Sequence, residues 1–384
     1  MTKKTTRREH STENRGILYL AFELSEKTWK LGFTLGLGQR VRERNIRAGD
    51  LEQLEKEIIR AKERFRFSAK VPVKSCYEAG RDGFWIHRCL ISRGIENIVV
   101  DSSSIEVNRR ARRAKTDKLD VQKLASMLIR YHSGERKLWS VVRVPSLEEE
   151  DRRQLHRELK DLKKERTRVT NRIKGLLATQ GVRIRMTPKT FPGCLEAIRL
   201  WDGSRLQEGL KARLQREWQR LQYVSEQILE IERQRRRLLR EAKSSKRKDF
   251  EKIQRLMNLR GIGINGSWVL VEEFFGWRKF RNRREVGSLA GLTPTPYQSG
   301  DSDLEQGISK AGNRRIRAVI IELAWAWLRF QPRSKLTQWY IRRFALGNRR
   351  NRKVGIVAVG RKLLIDLWRF LEFGVVPEGA QLKN

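Results

Sequence analysis

The chain has 384 residues, with 85 Lys and Arg against 45 Asp and Glu and a formal net charge of +40. Its 39% hydrophobic residues, with 11 Trp and 14 Phe, supply real cores and exclude a disordered basic tail protein. Positive charge of this size spread through a folded chain of two or three domains points to a polyanion, nucleic acid ahead of an anionic membrane surface.

After a basic tail over residues 1–15, Gly16–Ser25 (GILYLAFELS) reads as a buried strand and Thr28–Leu35 alternates as its hairpin partner. Val41–Arg47 suits a third strand, and a helix follows from its N-cap Asp50 to Phe67. Val73–Ala79 reads as a strand, Gly83–Arg93 as a helix and Asn97–Asp101 as a strand. Asp117–Tyr131 has helical periodicity with Thr116 as its cap. Hairpin strands followed by alternating strand and helix predict a mixed α/β sheet with acids at strand ends, closed by Pro145.

Over residues 146–247 the pattern changes. Leu155, Leu159, Leu162, Val169, Ile173 and Leu176 keep a 4-3 spacing, with Arg166 in the one missing seam position. After a break rich in Gly and Pro, Ser204–Ala242 reads as a second long helix. The pair predicts long antiparallel coiled-coil arms, each roughly 50 Å at ~1.5 Å per residue. Their role is open between plain structure, dimerisation and clamping of nucleic acid.

Residues 248–384 read as mainly α-helical. Gly261-Ile262-Gly263 forms a turn between two helical segments, and its backbone N–H groups can grip a phosphate; Gly261 and Gly263 are therefore candidate nucleic-acid contacts. Thr293–Gly307 is expected to be loop and Asn313 to open a helix. The basic NRRNRK and a helix around Val357–Phe370 close the chain.

Cys76, Cys89 and Cys194, like His10, His87, His132 and His156, lack metal-ligand spacing, which argues against zinc and for a reducing compartment. The basic N-terminus has no apolar signal region, and the longest apolar run, Ala318–Leu328, is interrupted by Glu322 and too short to span a bilayer. The expectation is a soluble, cytoplasmic, nucleoid-associated protein with no membrane partner.

Six of the ten residues Arg109–Lys118 are Lys or Arg, among them Arg109, Arg110, Arg112, Arg113 and Lys115. Asp117 and Asp120 lie in or beside that stretch at i and i+3, on one helix face. Such carboxylates are either neutralised by the cations or hold a divalent metal beside a phosphate backbone. Glu23 and Glu78, each at a strand end, complete a four-acid set whose hard oxygens suit Mg2+. Taken singly, each acid is more often a solvated surface residue, and Glu26, Asp82 and Asp101 are nearby decoys. Ser299 in PYQSGDS is either part of a turn or a nucleophile on phosphorus, with Lys310, Arg314, Arg315 and Arg317 as cations for the phosphate and Asn313 beside them.

The ordered set of LAFELS around Glu23, CYEAGRDGFW around Glu78, AKTDKLDVQKLA around Asp117 and Asp120, LRGIGINGSWVLVEEF, and LAGLTPTPYQSG followed by ISKAGNRRIR resembles the bridge-RNA-guided transposases of bacterial insertion sequences. The resemblance spans nearly the whole chain. It implies a RuvC-like (RNase H fold) DEDD domain over residues 16–145, coiled-coil arms over 146–247 and a serine-bearing transposase domain over 248–384. It also implies Mg2+ held by Glu23, Glu78, Asp117 and Asp120, and a transient phosphoserine link between Ser299 and DNA. The implied partners are donor and target DNA, a structured noncoding bridge RNA that pairs with both, and further copies of the chain in a homodimer or homotetramer whose active site is shared between subunits. One departure is the first acid, usually Asp and here Glu23, whose extra methylene shifts the carboxylate. A protein that leaves sequence reading to RNA should grip backbones, in keeping with the charge, and Arg beside Trp and Phe permits stacking on unpaired bases. The residues alone leave two rivals open: a hydrolytic nuclease of the Holliday-junction-resolvase type, and a non-catalytic RNA-binding scaffold.

Overall fold

The computed structural model describes residues 16–105, 117–183, 191–245, 247–299 and 302–383. The chain divides into two units, one up to Pro145 and one from Ser146 onward.

The first unit contains β1 (Leu18–Leu24), β2 (Thr28–Thr34), β3 (Arg42–Arg47), α1 (Leu51–Arg64), β4 (Val73–Glu78), α2 (Trp85–Ser92), β5 (Glu96–Val100) and α3 (Asp117–His132). The sheet order is β3-β2-β1-β4-β5. β1, β2 and β3 form an antiparallel meander, whereas β1, β4 and β5 run parallel. The central strand β1 is almost continuously apolar because both of its faces are covered. Leu18, Leu20 and Phe22 pack with Leu54, Ile58 and Ala61 of α1 and with Ile86 and Leu90 of α2. The alternate residues Tyr19 and Ala21 join Cys76 of β4 and Leu124, Ala125 and Leu128 of α3. Asp50 caps α1, its carboxylate accepting from Gln53 N at 2.9 Å.

Helix α3 runs antiparallel to β1 and β4. At its end His132 meets Tyr19, with ring centroids 6.2 Å apart, and lies 3.1 Å from Lys74 Nζ. Further back, Cys76 Sγ lies 3.8 Å from the Leu124 carbonyl. Val121 comes down on Gly32, where a Cβ would meet Val121 Cγ1 at 2.6 Å, so the missing side chain lets the helix approach β2.

The second unit begins with α4 (Leu147–Asp151), α5 (Gln154–Ala178), α6 (Phe191–Ala197), α7 (Glu208–Ser245) and α8 (Lys248–Met257). It continues with α9 (Ile264–Leu270), a π-helical turn over Val271–Phe275, α10 (Arg283–Leu289), β6 (Pro294–Ser299) and β7 (Ser302–Ile308). It closes with α11 (Arg314–Phe330), α12 (Lys335–Tyr340), a second π turn over Ile341–Ala345, and α13 (Arg349–Phe373). Helices α5 and α7 pack antiparallel. Leu159 meets Val224, Ile228 and Ile231, and Val169, Ile173 and Leu177 meet Leu214 and Trp218. Two ion pairs at 2.8 Å, Lys163–Glu232 and Arg172–Glu217, flank that seam. The arms are unequal: α5 has 25 residues and α7 has 38, or about 37 and 57 Å. The 50 Å expectation overstates α5 because its apolar seam stops at Leu177 and Gly181, at φ +74°, turns the chain.

Two further expectations are corrected. Thr293–Gly307, expected as loop, contains the antiparallel hairpin of β6 and β7. Pro294 and Pro296 cannot donate to a ladder, but a two-stranded ribbon has only edge strands, where this is tolerated. The NRRNRK segment is the start of α13 rather than a separate basic stretch, and the Asn348 side chain caps that helix by accepting from Asn351 N at 2.9 Å.

Candidate functional site

In the first unit, strand register brings two of the predicted carboxylates side by side. β1 and β4 are parallel with Phe22 opposite Tyr77, so Glu23 and Glu78 are the next residues on neighbouring strands, a strand spacing of ~4.8 Å apart. Side chains alternate, and Ala21 and Cys76 belong to the α3-side core, so Glu23 and Glu78 fall on that same face. Helix α3 starts at this edge. Leu124 sits over Cys76, and Asp120, one turn earlier, is displaced toward the strand ends by about 6 Å. Glu23 and Asp120 are half-buried and Glu78 is exposed. The chain turns from β1 toward β2 on one side and from β4 toward β5 on the other, so the acids flank the point where the connections diverge, where open α/β sheets bind ligands.

Asp117 opens α3, but its side chain lies outside the described residues, as do Arg109, Arg110, Arg112, Arg113 and Lys115. Among the described residues no three ligand-type side chains are gathered into a metal-holding group. The donors nevertheless fit a hard divalent cation in kind: carboxylate oxygens only, from one face and one edge. The decoys have other occupations. Glu26 pairs with Arg81 at 3.1 Å, Asp82 lies 3.7 Å from the same guanidinium, and Asp101 caps a short 3-10 turn through Ser103 N at 2.9 Å.

In the second unit, Ser299 is the last residue of β6 and pairs with Ser302 at the hairpin tip. Its side chain lies outside the described residues. The hairpin foot is tied down by Ser309 N to Thr293 O at 2.9 Å, Lys310 N to Gly291 O at 3.2 Å and Asn313 N to Leu289 O at 2.8 Å. The predicted cations around it divide by use. Arg317 braces the foot by donating to Ala290 O at 3.1 Å. Arg315 Nε lies 3.7 Å from buried Glu273. Asn313 caps α11, its side-chain oxygen accepting from Arg315 N at 2.9 Å and Ile316 N at 3.2 Å. Lys310 and Arg314 are exposed. In the glycine turn, Gly261 has φ +83° and lies so close to α11 that a Cβ would stand 3.2 Å from Ala326 O, while exposed Gly263 is the N-cap of α9. Gly261 thus has a packing reason for being glycine.

Sequence reasoning missed an adjacent pair of buried acids, Glu272 and Glu273, in the first π turn. Glu273 lies 2.9 Å from His156 Nε2 and accepts from Arg157 Nε at 2.8 Å and Nη2 at 3.1 Å. Burial pushes its pKa up, but these donors outweigh burial and hold the carboxyl well below the usual range. Glu272 has the opposite environment: burial, then the Asp249 carboxylate, push it up to about 7 against the pull of Arg152, Arg247 and Arg153. The available signal was two consecutive acids inside the apolar run WVLVEEFF. Among the described residues no helix is long and apolar enough to cross a membrane.

A profile of the Transposase IS116/IS110/IS902 family matches residues 253–338, a span that includes the serine hairpin and α11. The transposase-designated protein y4rJ of Sinorhizobium fredii is 42% identical over 381 residues, covering 96% of this chain and 95% of that protein. The transposase for insertion sequence element IS1328 of Yersinia enterocolitica is 28% identical over 187 residues, 48% of this chain and 53% of its own length. The transposase for IS1111A of Coxiella burnetii is 26% identical over 257 residues, 67% of this chain and 66% of its own. With likeness to y4rJ running through both units and the family profile centred on the serine hairpin, the chain belongs to the IS116/IS110/IS902 family of transposases, enzymes of DNA transposition.

Proposed function

We propose that this transposase is an RNA-guided recombinase that cuts and rejoins strands through the carboxylate edge of its first unit and the serine hairpin of its second. The observation that carries the reading is the β1–β4 register, which sets Glu23 beside Glu78 on the face where α3 brings Asp120. On this reading the first unit is a RuvC-like, RNase H-like domain, and α5 with α7 forms the coiled-coil arms that join protomers into a dimer and a tetramer. Glu23, Glu78, Asp117 and Asp120 would hold Mg2+, which when bound supplies charge stabilisation at the scissile phosphate. The Ser299 hydroxyl oxygen attacks phosphorus, forming an O–P bond as the bond to the leaving strand oxygen breaks. A strand hydroxyl then attacks the phosphoserine, forming the new phosphodiester and restoring the serine. Exposed Lys310 and Arg314 near the hairpin foot offset the phosphate charge. A bridge RNA would read donor and target by base pairing, leaving the protein to hold backbones with its net charge of +40.

The decisive experiment uses Ser299→Ala. Incubated with element DNA and denatured, the parent should yield a covalent protein–DNA adduct and the variant none, with RNA binding unchanged. An adduct that persists in the variant defeats the nucleophile assignment, and cleavage without adduct in the parent favours a hydrolytic nuclease. RNA recovered with the purified protein should be one structured transcript; random cellular RNA would remove the guide.

A further inference from the structure

A groove of about 1290 Å³ opens in the second unit, lined by α10, α12, its π turn, α13 and the foot of the serine hairpin. Its lining carries ten Lys and Arg against two carboxylates, Asp366 and Glu378. Both acids are engaged: Glu378 pairs with Lys335 at 2.7 Å, and Asp366 lies 4.0 Å from Arg369. Among the described residues no carboxylate comes within ion-pair distance of Arg283, Arg284, Arg342, Arg343, Arg350 or Lys353, all exposed. The floor beneath these cations is apolar, with Leu336, Trp339, Phe344, Val357 and Ile365. Trp339 and Phe344 meet edge to face at 5.4 Å, and Lys362 Nζ stands 4.7 Å from the Trp339 ring.

We propose that this groove binds an unpaired DNA strand adjoining the site of cleavage, its phosphates on the arginine rim and its bases on the Trp339–Phe344 floor. A duplex offers phosphates with its bases stacked inside, and so has no use for an aromatic floor. An unpaired strand offers both surfaces, and cationic walls with stacking rings are what it needs. The surplus of cations rules out a basic segment of this chain as the occupant. Position links the groove to chemistry. Pro294, Gly307 and Ile308 line it at the hairpin foot, and β6 runs from there to Ser299 over about 17 Å. This link rests on the serine-hairpin reading, whereas strand binding in the groove does not.

The test uses the full-length chain and a fluorescently labelled 20-nucleotide single strand, with its blunt duplex and an RNA of the same sequence as competitors, titrated across salt. The groove variant Arg342→Gln/Arg343→Gln/Arg350→Gln changes only exposed side chains. Its control, Arg236→Gln/Arg237→Gln/Arg240→Gln, removes the same charge from exposed positions on α7. The groove variant should bind the single strand about tenfold more weakly, and the slope of log affinity against log salt should flatten by about 2, from ~0.7 per lost phosphate contact. The control should change affinity less than about threefold. Trp339→Ala should weaken single-strand binding about fivefold and duplex binding hardly at all, with Trp339→Phe restoring most of the loss. A strand carrying 5-iodouracil should crosslink to peptides containing Trp339 or Phe344. Equal losses in the groove and control variants, equal losses for strand and duplex, displacement by RNA at lower concentration than by DNA, or crosslinks only elsewhere would each overturn the proposal. An acidic peptide as natural occupant would show as strand binding indifferent to the groove variants. Ser299→Ala, run in parallel, should bind the strand as the parent does, so loss of the adduct and loss of the groove are separately readable.

Discussion

Glu272→Gln isolates the buried acid that the fold holds protonated up to about pH 7. Glu272 is 5% exposed in the π turn, and its pKa rises from 4.5 to about 7 through burial and then the nearby Asp249 carboxylate. Asp249 is itself bonded to Arg152, which only partly offsets its effect on Glu272. Because the folded pKa lies above the unfolded one, the stabilisation linked to this proton is complete below pH 4.5 and lost as pH rises through about 7. A shift from 4.5 to about 7, at 1.36 kcal/mol per unit, is worth about 3 kcal/mol. Glutamine keeps the shape and is neutral throughout. At pH 5 the variant should therefore be more stable in urea than the parent by less than about 1 kcal/mol, and at pH 8.5 by about 3 kcal/mol. Trp268, in the same core as Phe274 and Phe275, is placed to report the transition by fluorescence. A gain of equal size at both pH values, or one confined to acid, would show that Glu272 is not held neutral by its surroundings.

Three other outcomes follow from the same geometry. Glu273→Gln removes the charge that Arg157 and His156 share and should cost about 3–5 kcal/mol in urea unfolding at pH 7; since the folded pKa is depressed, that penalty should shrink as pH falls from about 4.5, and a pH-independent penalty would refute the ion-pair account. Gly291 has φ +68°, and a Cβ there would collide with the Ala311 carbonyl and the Arg317 guanidinium at the hairpin foot; Gly291→Ala should lower the melting temperature and the yield of covalent adduct together, and an unchanged melting curve would contradict the packing. Asp120→Asn should abolish cleavage in Mg2+ while leaving the urea midpoint where it was, since the side chain is only half-buried; retained cleavage would remove it from the carboxylate set.

β1, β2, β4 and β5 were legible because their apolar patterns are local and dense, whereas β3, RERNIR, carries one buried apolar residue and was read from its place beside the hairpin. LYLAF, short and bounded by turn residues, reads as a strand covered on both faces, and the alternation that opens TWKLGFT marks its hairpin partner, itself buried over Leu31–Thr34. The long helices were legible for the same reason, through a seam that repeats over several turns. The hairpin of β6 and β7 was not, because PTPYQSGDSDLEQGI has two prolines, no alternation and few apolar side chains; its ladder comes from antiparallel pairing with Ser299 opposite Ser302, which no period in either strand announces. The π turn that buries Glu272 and Glu273 was likewise hidden, since no period in the sequence marks it.

The same contrast separates the two halves of the candidate site. Glu78 ends one readable strand and Glu23 is the penultimate residue of another, so naming the strands nearly names the edge, and only the parallel order of β1 and β4 had to come from the fold. The groove is assembled from residues between Arg283 and Glu378 on helices that meet only when the core around Trp327 and Leu363 closes. In the sequence its arginines are indistinguishable from the other cations of a chain with 85 of them. What singles them out is that, among the described residues, they have no carboxylate partner and stand above an aromatic floor, a property of positions in space. A chain this basic therefore advertises a polyanion everywhere, and only the fold distinguishes a binding surface from a solvated face.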